Sequence, residues 1–207
     1  PVTVSYNPAD DAPYTEVIDI DVMVKEYPTT KLEVAPKYVE LSAENQQRAA
    51  ADRKLINEAY SNTSPEPYWQ GVFLIPVNGV AGGRNFGHRR VFNDQPRAPH
   101  SGADLTAATG TEIMASNAGK VVLTGDFFFN GLAVFVDHGM GVLTMYLHLS
   151  EISVSTGQML RKGEVIGLAG ATGRVTGPHL HWGARVGGAR VDPFSLPGIP
   201  AEEVLSP

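Results

Sequence analysis

Five residues of this chain have the types and spacing to do metal chemistry: His100, Asp104, His148, His179 and His181. His100-Ser-Gly-Ala-Asp104 sets an imidazole and a carboxylate four positions apart. His179-Leu-His181 sets two imidazoles two positions apart, and His148 closes the run Met145-Tyr-Leu-His-Leu-Ser150. Four of the six histidines fall in this set, and the chain has no cysteine. Imidazole and carboxylate without thiolate suit Zn²⁺, which catalytic sites usually hold by three protein ligands plus a water. The affinity order of divalent metals leaves others open. Five candidates for three ligand positions leave histidines to spare for chemistry.

Positioning these groups requires strands. Side chains alternate faces along a strand, so His179 and His181 are expected on one face, with Leu180 and Trp182 on the other. On the same rule Val142, Thr144 and Tyr146 share the face of His148, while Leu143, Met145 and Leu147 fill a core behind it. Three histidines then line one concave sheet surface, with Tyr146 beside them as a groove-lining candidate. The segment His100–Asp104 contains a glycine and reads as a loop entering a strand. His138, in Asp137-His-Gly139, reads as a structural turn residue. His88, beside Arg89 and Arg90, reads as an exposed loop residue.

The rest of the chain divides by texture. Residues 1–66 hold 12 acidic and 6 basic residues, whereas residues 67–207 hold 10 of each. Neither part is basic overall, which argues against nucleic acid as a partner. In the first part, Val2–Tyr6 and Glu16–Val24 alternate partly between apolar and polar positions, and Pro28 and Pro36 interrupt the extended pieces. Ser42 is a helix N-cap candidate with Glu44 in the first turn, predicting a helix over 43–60. Ser61-Asn-Thr-Ser-Pro-Glu-Pro67 then reads as a linker. From Tyr68 onward, short apolar runs at 120–124, 132–136, 142–148, 164–168 and 179–183 alternate with glycines, predicting antiparallel strands joined by hairpins. The fold class expected is mainly β: an antiparallel sheet domain at 67–207 with an open groove, preceded by a small β-rich region, 1–66, with one helix. That first region is expected to be a docking or regulatory module. No apolar run is long enough to cross a bilayer. No signal peptide is visible, and the expectation is that one has been removed. Oligomeric state is unreadable.

The spaced motifs together resemble the lysostaphin-type, LytM-like family of zinc peptidoglycan endopeptidases. The matching text is Pro99-His-Ser-Gly-Ala-Asp-Leu105, Tyr146-Leu-His-Leu-Ser150 and Gly173-Arg-Val-Thr-Gly-Pro-His-Leu-His-Trp-Gly183. Phe86-Gly-His-Arg-Arg90, Val136-Asp-His-Gly139, the Gly157-Gln and Lys162-Gly hairpin and Val191-Asp-Pro193 support it, so that it covers roughly residues 70–195. The resemblance implies one Zn²⁺ per chain, held by His100, Asp104 and His181. His148 and His179 would act on substrate and water, with His179 favoured for water activation and His148 for the oxyanion. It implies peptide cross-links of bacterial peptidoglycan as substrate, with the D-Ala to diaminopimelate type favoured, and a periplasmic or cell-envelope location. Stem peptides carry free carboxylates, so Arg89 or Arg90 could orient one, arginine being a bidentate partner for them. Asn93 could reach the metal, as a loop Asn does in latent relatives. The alternatives are a glycine-bridge endopeptidase, another zinc amidase or carboxypeptidase, and a non-enzymatic module that binds peptidoglycan or activates amidases. The presence of all five residues argues against a degenerate copy.

Overall fold

The structure is a computed structural model, and it describes residues 2–6, 14–19, 21, 23–79 and 83–198. In chain order the elements are β1 (Val2–Tyr6), β2 (Tyr14–Ile18), β3 (Thr29–Leu32), α1 (Ala43–Ser61), β4 (Arg89–Phe92), β5 (Gln95–Arg97), β6 (Gly102–Leu105) and β7 (Glu112–Met114). They continue with β8 (Gly119–Phe127), β9 (Gly131–Gly139), β10 (Val142–Ile152), β11 (Met159–Leu160), β12 (Val165–Ala169), β13 (Leu180–Val186) and β14 (Ala189–Val191). The mainly β expectation holds. Of the run 16–24, strand geometry covers only the start, and positions 20 and 22 lie outside the described residues.

Nine strands make one antiparallel sheet, in the order β11-β8-β9-β10-β12-β7, with β13 branching from β10 to pair also with β14 and β6. Glycine and Met140 turn the central hairpin: Met140 and Gly141 both have positive φ, 49° and 75°. That pair matches the twist of the flanking strands, which is why two residues suffice between β9 and β10. Both strands are buried on both faces, so their sequences read as near-continuous apolar runs rather than alternation.

One face carries the main core, with Trp182, Tyr146, Leu105, Ile113, Ile166 and Leu180 buried. The other carries Phe127, Ala133, Phe135, Met145 and Leu147, against which Ile56 and Tyr60 of α1 pack. The helix begins at the expected place: Ser42 Oγ accepts from Asn45 N at 3.2 Å. It is held to the sheet as much by polar contacts as by apolar ones. Asp52 Oδ2 accepts from Phe128 N at 2.7 Å, and Arg48 pairs with Asp126 at 3.0 Å. Upstream of α1, β3 lies parallel to β4 in a three-stranded sheet with β5. Segments from both sides of residue 66 thus wall the groove described next.

Candidate metal centre and its groove

The site is built on the β6–β13–β10 ladder. Asp104 on β6 lies directly opposite His181 on β13, the arrangement that brings cross-strand side chains closest. On the other side of β13, His181 faces Leu147 of β10. His100 stands just before β6. The close approach depends on Gly102: a Cβ there would lie 2.7 Å from His181 Nε2 and 2.5 Å from Trp182 O. Any other residue at position 102 would displace the ring.

His100 Nε2, His181 Nδ1 and Asp104 Oδ1 form a triangle with edges of 3.0 Å, 2.8 Å and 3.0 Å. His100 Nδ1 lies 3.0 Å from the carbonyl oxygen of Asn85. A carbonyl only accepts, so that nitrogen carries the hydrogen and Nε2 presents a bare lone pair to the triangle. Three such atoms in mutual contact repel unless a cation or proton sits among them. Ligands about 2.0–2.1 Å from a tetrahedral zinc stand about 3.3–3.4 Å apart, so the donor set fits that ion after small shifts. Asp104 divides its oxygens. Oδ1 faces the histidines, while Oδ2 accepts from Arg90 Nη2 at 2.6 Å and Asn85 Nδ2 at 3.2 Å. Burial alone would raise the Asp104 carboxyl, but the ring nitrogens of His100 and His181 against Oδ1 outweigh it and hold the group far below the usual carboxylate range. It is a carboxylate at any working pH. Burial pushes His181 down, which keeps it neutral and able to ligate.

His148 and His179 lie beside the triangle, with ring centroids 5.0 Å apart. His179 Nε2 is 3.7 Å from Asp104 Oδ1. Its Nδ1 donates to Gly177 O at 2.8 Å, and His148 Nδ1 donates to Thr172 O at 2.8 Å. Both rings therefore present an Nε2 lone pair. Burial, then the neighbouring rings of His181 and His179, pushes His148 down to about 3.

His148 reaches the site by a break in the strand that alternation does not anticipate. The β9–β10 pairing shifts register between Tyr146 and Leu149, and His148 has a φ of 66°. The bulge reverses the expected faces. Leu147 and His148 both line the groove. Tyr146 does not: it is fully buried in the main core, its hydroxyl 2.8 Å from Ser116 N and 2.9 Å from Thr144 Oγ1. That corrects the expectation that Tyr146 lines the groove.

The other candidates also find definite places. Arg90 is committed to Asp104 and is not free for a substrate carboxylate, a second correction. Arg89 is exposed, beside Tyr27 and Phe86. Asn93 does not approach the histidines; its amide bonds the backbone of Val34, at 2.9 Å and 3.0 Å. The asparagine at the site is Asn85, which no spacing signalled. His88 is half-buried, with Nδ1 3.2 Å from Thr30 Oγ1. His138 is structural and wholly buried, bound to Ala118 O and Thr144 Oγ1, both at 2.8 Å.

Residues 98–193 match the model of Peptidase family M23. The chain carries an M23 peptidase domain. Its matched segment begins just before His100 and ends just past Asp192, so it contains all five residues of the set. The chain is 45% identical over 109 residues to peptidoglycan DD-endopeptidase ShyA of Vibrio cholerae, covering 52% of this chain and 25% of that protein. Among solved structures, it is similar to an M23 peptidase from Pseudomonas aeruginosa, with a TM-score of 0.65 and 41% identity, covering 77% of this chain and 64% of that one. A zinc containing peptidase from Vibrio cholerae matches with a TM-score of 0.54 and 33% identity, over 59% of this chain and 39% of that one. The chain spans about a quarter of the length of the first curated relatives it matches. The sequence resemblance and the M23 match agree, and among the described residues no helix is long and apolar enough to cross a membrane.

Proposed function

We propose that the chain is a zinc-dependent endopeptidase that hydrolyses peptide cross-links of peptidoglycan, acting in the cell envelope on stem peptides. One observation carries the reading: three converging side-chain donor atoms with two further histidines beside them. His100, Asp104 and His181 would hold one zinc. When bound there, zinc lowers the pKa of its water toward neutrality and polarises the scissile carbonyl.

The chain's own residues then divide the proton work. His179 Nε2 takes the proton of the attacking water and returns it to the departing amine nitrogen as the C–N bond breaks. Its Nδ1 bond to Gly177 O holds the ring in the tautomer that does this. His148 faces the carbonyl oxygen. In its neutral form it offers that oxygen a lone pair, so it stabilises an oxyanion only once it has taken a proton from solvent, which it gives back when the carbonyl re-forms. Burial opposes that protonation in the resting site, and a developing negative charge next to the ring favours it. The contribution of His148 is therefore concentrated in the transition state, where it raises kcat.

The test is digestion of intact sacculi with and without chelator, with the released fragments identified. The reading expects chelator-sensitive release of un-cross-linked stems still joined to sugar. Absence of that release would sink it, and sugar-free peptides would mark an amidase instead.

A further inference from the structure

The groove beside the metal centre, about 380 Å³ in volume, is lined by Arg53, Arg90, Arg97, Arg174 and Arg190 and by no aspartate or glutamate. Half of the chain's ten arginines thus meet in one place, in a chain of net charge −6. They share the groove with His100, His148 and His181. Arg90 is neutralised by Asp104, and Arg97 is bound by neutral acceptors, chiefly Gln95 Oε1 at 2.7 Å.

Arg174 has neither kind of partner. Its guanidinium lies 4.7 Å from the ring centroids of both Phe92 and Phe129, and it makes no hydrogen bond or ion pair with any described residue. The backbone beneath it is fixed. Arg174 N donates to Phe129 O at 3.0 Å. Gly173, at a φ of 73°, packs so closely on Gly131 that a Cβ would collide with its backbone. Two aromatic rings flank the fork where the side chain lines the groove, an arrangement that satisfies its charge only in part and leaves its N–H donors available. Burial, then repulsion from Arg90 and Arg97, pulls Arg174 down to about 10, the mark of a positive charge without a counter-ion. An unpaired, pre-oriented guanidinium in a recess costs free energy that a bound anion returns.

We propose that Arg174, with Arg190 and Arg53 at the rim, is a carboxylate-binding subsite that selects peptides bearing a free carboxylate next to the scissile bond. The inference rests on the endopeptidase reading and deepens it. A groove so charged favours a cross-link whose residues keep an acidic group, as diaminopimelate does, over an uncharged glycine bridge. The arginines sit inside a recess rather than along an open face, which fits a short acidic peptide better than a nucleic-acid backbone.

The experiment uses zinc-loaded protein and a purified cross-linked muropeptide dimer in two forms, one with the diaminopimelate carboxylate free and one with it amidated. Wild type is expected to cleave the free acid with a kcat/KM about ten- to a hundredfold higher, the range of one lost charge-assisted hydrogen bond. Arg174→Gln is expected to collapse that ratio toward one with zinc content intact, Arg174→Lys to retain part of it, and exposed Arg190→Gln to shrink it by a smaller factor. Equal cleavage of both forms by wild type overturns the subsite. So does an Arg174→Gln defect of the same factor on both forms, which would make Arg174 a packing residue. If the zinc-loaded wild type cleaves neither form, the endopeptidase reading has failed, and calorimetric titration with the same two peptides decides the subsite: tighter binding of the free acid supports it and equal binding overturns it.

Discussion

Asp104 and His181 face one another across a strand ladder, and His100 is tied to the loop before it. Arg53, Arg174 and Arg190 reach the same groove from a helix, a loop and a terminal strand. The first wall is a fixed cradle, where register sets distance and a glycine sets clearance. The second is assembled from parts 137 positions apart in the chain. Chemistry that tolerates no displacement sits on the ladder, and recognition, which varies with substrate, sits on the pieces that pack against it.

That contrast can be broken at several points. The largest effect is expected at the two unligated histidines. His148→Ala or His179→Ala should lower kcat by roughly 10²–10⁴ while zinc content stays at wild-type level, as read by steady-state kinetics beside elemental analysis. Loss of zinc in either variant would move that residue into the ligand set.

Next comes acid stability. Buried His138 has a pKa pushed down to about 4 by desolvation. The unfolded chain binds a proton at its ordinary value of about 6.5, so the stabilisation is complete above that value. It is lost as pH falls toward 4. Metal-free protein should lose roughly 3 kcal/mol from this group across that window, seen as a falling urea midpoint, and His138→Gln should remove that part of the slope. A midpoint flat with pH in the wild type would contradict the assignment.

Arg90 offers a subtler break. It and Asn85 orient Asp104 from outside the triangle. Arg90→Gln should weaken zinc binding by about 10–100-fold, measured by chelator competition, with Arg90→Lys intermediate. The smallest effect is expected where α1 meets the sheet. Asp52→Ala strands Phe128 N and should cost about 1–2 kcal/mol, with little change in zinc affinity; a large change would mean that the helix helps to set the ladder.

The ladder side was legible in the sequence because a period of two governs it. His179 and His181 were expected on one face with Leu180 and Trp182 behind them, and both of the latter are fully buried. The helix was legible from Ser42 and the unbroken run after it. Tyr146 departs from that period because the strand bulges at His148, beyond which the alternation of faces no longer runs. A histidine with a φ of 66° carries no local mark, since glycine or asparagine usually occupies such a position. The arginine wall was illegible for another reason: its members are single residues in unrelated contexts, and only packing brings them together. Arg90 looked available because sequence shows a charge and not its partner.

The central claim is that the His179-Leu-His181 pair contains one residue of each kind. Zinc stoichiometry of purified His179→Ala and His181→Ala, each checked for folding by circular dichroism, tests it most directly. The account predicts about one zinc per chain in His179→Ala and almost none in His181→Ala, with hydrolysis lost in both. Zinc retained without His181 and lost without His179 would contradict it.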